Sequence, residues 1–80
     1  MNQNQTLRLL FFGKSAEITG CHEQRCNYFN QLEQLHSYLL EKHPQLASIG
    51  FVMSVNRKIV KAAQLQPDDE IAILPPFSGG

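Results

Sequence analysis

Eighty residues support one small domain with little core to spare, so a single domain spanning 1–80 is expected and a second is excluded. Seven Lys and Arg cancel seven Asp and Glu, and no basic run occurs; the field needed for non-specific binding is missing, so no nucleic-acid partner is expected. The longest apolar stretch, Leu9 to Phe12, is far too short to span a bilayer, and the polar start Met1-Asn2-Gln3-Asn4-Gln5 lacks the basic and apolar regions of a signal peptide. The expectation is a cytoplasmic protein with no membrane partner.

Residues 1–6 are expected to be a disordered start, after which Leu7 to Phe12 forms a short apolar strand closed by Gly13. Side chains alternate along a strand. Leu7, Leu9 and Phe11 therefore point to a core, while Arg8 marks the opposite face as the solvent side and leaves Leu10 and Phe12 exposed with it. Lys14 to Gly20 can make one helical turn with Gly20 as its stop, and Glu23 to Phe29 is a second strand with a poor pattern. Cys21 and Cys26 flank His22, but their spacing is neither Cys-x-x-Cys nor half of a four-ligand zinc set. His36 and His43 lack further ligands, so no metal is expected, and both thiols are read as ordinary reduced cysteines.

The main helix follows. Asn30 can cap it, Glu33 stands at the third helical position to complete a capping box, and Phe29 can staple against the turn of Gln34. Leu32, Leu35, Leu39 and Leu40 form one stripe at helical spacing that stops before Pro44, and this face is core. Phe51 to Val55 reads as a strand, Asn56-Arg57-Lys58 as a polar turn and Ile59-Val60 as a short strand. Gln66-Pro67-Asp68-Asp69 places proline at the second position of a turn. Glu70 to Leu74 is the last strand, with Ile71 and Ile73 inside and Glu70, Ala72 and Leu74 outside. One helix covers one sheet face and leaves the other open. If the first and last strands are neighbours, Leu10, Phe12 and Leu74 make an apolar patch on the open face, of the kind that marks partner surfaces.

The chain then reads Leu74-Pro75-Pro76-Phe77-Ser78-Gly79-Gly80. Prolines fix φ and hold a segment extended, and the final four residues can project roughly 13 Å. Glycines without a Cβ let another protein's backbone approach closely, so 75–80 is expected to be a mobile functional tail whose terminal carboxylate enters a partner's narrow site. By itself the dipeptide is equally compatible with a frayed end.

Three stretches taken together are more specific. Leu9-Leu10-Phe11-Phe12-Gly13 with Glu17-Ile18-Thr19-Gly20, then Val55 to Val60, then Asp68 to Gly80, resemble the ubiquitin-like β-grasp sulfur carriers over nearly the whole chain, most closely the molybdopterin synthase small-subunit family. Two departures are visible: Ala16, where the family often has Arg, and Asp69, where the turn often has Gly. The resemblance implies an α+β ubiquitin-like β-grasp fold, a mixed sheet covered on one face by one main helix, with an extended Gly-Gly tail. It also implies a chain that is not an enzyme on its own. An E1-like adenylating enzyme would use ATP and Mg²⁺ to convert the Gly80 carboxylate to an acyl-adenylate, and a sulfur donor, a sulfurtransferase or cysteine desulfurase, would leave a Gly80 thiocarboxylate. The molybdopterin synthase large subunit would supply the catalytic residues and pass the sulfur to cyclic pyranopterin monophosphate for molybdenum cofactor. Gly80 and Gly79 are then the reacting end, and Leu10, Phe12, Ile59, Leu74, Pro75, Pro76, Phe77 and Ser78 the partner-binding residues; the chain itself would bind no cofactor. Two other readings stay open: a thiamine-pathway carrier or protein modifier using the same tail, and a β-grasp interaction module with an inert tail. No P-loop and no Ser-His-Asp set stands in the sequence, so a self-contained catalyst would lack parts.

Overall fold

A computed structural model describes residues 5–76. In chain order its elements are β1 (Thr6–Phe11), α1 (Lys14–Thr19), β2 (Glu23–Asn27), α2 (Leu32–Lys42), α3 (Leu46–Ile49), β3 (Val52–Val55), β4 (Lys58–Val60) and β5 (Glu70–Leu74). The strands form one sheet in the order β2-β1-β5-β3-β4. β1 and β5 run parallel at its centre, and the other neighbours are antiparallel. This mixed sheet with its helices is the expected α+β β-grasp architecture.

The strand faces divide as alternation requires. Leu7, Leu9, Phe11, Ile71 and Ile73 are all at most 1% exposed, and they share one core with Leu32, Leu35 and Leu39 of α2, Ala16 of α1, Leu46 of α3 and Leu65. Leu40, the fourth residue of the helical stripe, is only half-buried at its edge. Because Leu39 is 1% exposed, Leu39→Ala should cost about 2–5 kcal/mol through lost burial and a residual cavity. A denaturant melt that leaves the midpoint unmoved would contradict this placement.

The start of α2 departs from the expected capping box. Its N-cap is Gln31 in an extended conformation, with no side-chain cap. Backbone pairing replaces it: Leu32 N donates to Ala63 O at 2.9 Å, Leu65 N donates to Asn30 O at 2.9 Å, and Gln31 bridges Gln64. An orphan N–H at a helix start accepts any partner, and here a distant strand-like segment provides it. Phe29 packs on the Tyr38 ring at 5.2 Å, one turn beyond the expected Gln34.

Other boundaries also move. β1 starts one residue earlier, at Thr6, and stops before Phe12. β2 ends at Asn27 rather than Phe29, β3 begins at Val52 rather than Phe51, and β4 includes Lys58. The β3–β4 loop is therefore two residues long, with Val55 paired to Lys58 and Asn56 and Arg57 at φ 50 and 76, the twist-compatible hairpin turn that asks for positive φ twice. In the turn before β5, positive φ falls on Asp68 (φ 69) rather than Asp69, as expected for the third position of a turn with proline second. The short α3 has no counterpart in the sequence reading. α1 closes as read, on Gly20 in a left-handed conformation, with its N–H donating to Ala16 O.

Candidate functional site

The sheet's outer face carries the site. Strand register sets one row across four strands: Leu10 of β1 opposite Ala72 of β5, Ala72 opposite Ser54 of β3, and Ser54 opposite Ile59 of β4. Residues paired in this way project on the same face. Two small side chains thus stand between two large ones, and the result is a depression of about 490 Å³ lined by the whole row together with Phe12 and Leu74 at one end and Arg8, Arg57 and Glu70 at the other. Ala72 lies on the outer side as expected, yet it is only 6% exposed, because larger neighbours overhang it. Ser54 is buried beside it at 5%.

The charged end is a chain of ion pairs. Arg8 Nε donates to Glu23 Oε2 at 2.9 Å, Arg8 Nη1 lies 3.7 Å from Glu70 Oε1, and Arg57 Nε lies 3.8 Å from Glu70 Oε2. The hydrogen bond and charge of Glu23 raise the Arg8 guanidinium above its ordinary value. Exposed pairs of this kind contribute little to stability; their effect is to bound the apolar surface with a polar rim. Asn56 anchors this end, its N–H donating to Glu70 O at 2.8 Å and its Oδ1 accepting from Glu70 N at 3.0 Å.

Of the residues singled out in the sequence, Leu10, Phe12, Ile59 and Leu74 line this one depression. Phe12 and Ile59 are the exposed ones of these four, at 46% and 54%. Leu74 is half-buried, and the exposed Pro75 and Pro76 continue from it, so the tail leaves the sheet at the rim of the depression. Phe77, Ser78, Gly79 and Gly80 lie outside the described residues. Ala16 belongs to the core and not to the open face. Sequence reasoning missed Arg8, Ser54, Arg57, Glu70 and Ala72 as lining residues; the alternation already placed Arg8, Glu70 and Ala72 on this face, but only the strand order brings Ser54 beside them.

Among the described residues no three His, Cys, Asp or Glu side chains gather as a metal site, and no helix is long and apolar enough to cross a membrane. Cys21 and Cys26 are both free thiols, and burial pushes the Cys26 thiol up, away from the reactive thiolate.

Comparison with known proteins agrees with this geometry. The chain is 35% identical over 82 residues to a protein from Homo sapiens named molybdopterin synthase sulfur carrier subunit, covering 92% of this chain and 93% of that one. It superimposes with a TM-score of 0.68, at 26% identity, on a chain in a protein–protein complex of subunits 1 and 2 of molybdopterin-converting factor from Helicobacter pylori, covering 94% and 99% of the two chains. SAMP1 from Haloferax volcanii shares the fold, with a TM-score of 0.75 at 23% identity over 94% of this chain and 99% of that one. Residues 9–80, from the middle of β1 through the tail, match the ThiS family. On that match, supported by the β-grasp sheet and the curated relative, the chain belongs to the ThiS family.

Proposed function

We propose that the chain is the sulfur carrier subunit of a molybdopterin synthase and that its reacting atoms are those of the Gly80 carboxyl group. The observation that carries this reading is the position of the tail's root: Leu74, Pro75 and Pro76 leave β5 at the edge of the apolar depression. A partner seated on the open face would therefore have the tail beside it. The named relative and the two-subunit complex support the large subunit as that partner.

The chemistry follows from the weakness of a carboxylate as an electrophile. A carboxylate oxygen of Gly80 attacks the α-phosphorus of ATP on an adenylating enzyme, pyrophosphate leaves, and an acyl-adenylate forms. Sulfur at the hydrosulfide level then adds to the carbonyl carbon, and AMP departs with one former carboxylate oxygen. The product is a thiocarboxylate, nucleophilic without help from any side chain of this domain. In the complex its sulfur attacks a carbon of the pterin precursor and displaces an oxygen substituent there, and water then cleaves the acyl–sulfur bond to return the Gly80 carboxylate; two such transfers supply the two sulfurs of the dithiolene. Side chains for proton transfer come from the large subunit.

The test is reconstitution. Thiocarboxylated protein mixed with the large subunit and cyclic pyranopterin monophosphate should yield dithiolene product in proportion to the carrier added. A product yield independent of the carrier would sink the reading.

A further inference from the structure

The tail's root runs between two glycines. β1 and β3 flank β5 in the sheet, with β1 parallel and β3 antiparallel to it. The loop that follows β1 and the loop that precedes β3 therefore meet the chain where it leaves β5. A Cβ on Gly13 would stand 3.8 Å from Pro75 Cγ, and one on Gly50 would stand 3.9 Å from Pro76 Cγ. A side chain at either position would meet a proline ring at ordinary contact distance, so it is the backbone conformation and not the space that asks for glycine on each side of the root. Both glycines hold conformations closed to other L-residues, φ 61 with ψ −133 at Gly13 and φ 67 with ψ 154 at Gly50.

The Gly13 side is also pinned to β5. Phe12 N donates to Ile73 O at 3.2 Å. The hydroxyl of Ser15, a residue only 2% exposed, donates to Phe12 O at 2.7 Å, accepts from Phe12 N at 3.2 Å and has Ile73 O at 3.3 Å. A side chain buried for hydrogen bonding at this point fixes the loop relative to the last strand.

We infer that Gly13 and Gly50 are positioning residues for sulfur transfer: the turns they make bracket Pro75 and Pro76 and set where the tail leaves the sheet. This rests on the carrier reading above. Proline cannot re-aim the chain by rotating φ, so a shift of either loop carries Pro75 and Pro76 with it and moves the point from which the tail starts. A misplacement of about 1 Å in a reacting group can cost about 10²-fold in rate.

The test uses semisynthetic proteins carrying the Gly80 thiocarboxylate, which bypasses activation: the wild type, Gly13→Ala, Gly50→Ala and a protein with D-alanine in place of Gly13. The conformation of Gly13 is the mirror image of polyproline II, so D-alanine occupies it without strain, whereas L-alanine must shift the loop. In complex with the large subunit, Gly13→Ala and Gly50→Ala should slow single-turnover sulfur transfer at saturation by about 10-fold or more. Affinity for the large subunit should stay within about twofold for Gly50→Ala, whose loop carries no residue of the depression. The D-alanine protein should transfer at the wild-type rate. Equal rates in wild type and both L-alanine variants, or a D-alanine protein as slow as Gly13→Ala, would overturn the inference. Independently of any variant's folding, NOE cross-peaks from Gly13 Hα to Pro75 Hγ and from Gly50 Hα to Pro76 Hγ are expected in the free wild-type protein, and their absence would also overturn it. A wild-type thiocarboxylate that delivers no sulfur is a different outcome, which defeats the carrier reading itself.

Discussion

Extending the chain by even one residue past Gly80 should reduce dithiolene formation to background while leaving the domain as stable as before. An amide at Gly80 has no carboxylate oxygen to attack ATP, so neither the acyl-adenylate nor the thiocarboxylate can form at that carbon. The loss is chemical, and no adjustment of the partner restores it. Stability should hold within about 0.5 kcal/mol, because among the described residues the buried core runs from Leu7 to Ile73. Gly79→Val should act in the same direction but less completely, since a β-branched side chain restricts the backbone and widens it where a narrow site must close. Thermal unfolding and product yield, measured on the same preparations, check both halves. Wild-type product from the extended chain would show that the tail is not the reacting group.

Phe12→Arg should weaken binding to the large subunit by about 30-fold or more, the loss typical of an apolar anchor worth about 2 kcal/mol. Phe12 lies one residue past β1 and is 46% exposed, so the free domain has no need of its ring for folding. A partner covering the depression would have to bury the new guanidinium among Leu10, Ile59 and Leu74, a desolvation without a counter-charge. Binding to the adenylating enzyme should fall too if it uses the same face. Calorimetric titration of each partner measures the change; full affinity for both would move the docking surface elsewhere.

Much of this was legible in the sequence because the physics behind it is local. Leu7, Leu9 and Phe11, like Ile71 and Ile73, show the two-residue period of a strand with one buried face, and Leu32, Leu35 and Leu39 show the period of a helix. Gly20 and Pro67 announce their turns through backbone constraints that need no tertiary context. What the sequence hid depends on partners far along the chain. The helix start at Gln31 is satisfied by Ala63 and Gln64, some thirty residues later, so a side-chain capping box written in plain sight at Asn30 and Glu33 goes unused. α3 has four residues, too few to display a period. Six of the outer-face residues could be assigned a direction, but the depression exists only because β3 lies between β4 and β5 and brings the short side chain of Ser54 next to Ala72. The glycines beside the prolines were equally invisible, since Gly13 reads in sequence only as the close of a strand and Gly50 only as the residue before one.

The central claim is a change of one atom at Gly80, and intact mass spectrometry reads it directly. After incubation with ATP, Mg²⁺, an E1-like adenylating enzyme and a sulfur donor, the protein should gain about 16 Da, oxygen exchanged for sulfur, with the gain confined to the C-terminal fragment and lost when ATP is withheld. A mass that stays unchanged with all components present, or a gain that maps to Cys21 or Cys26 instead of Gly80, would contradict it.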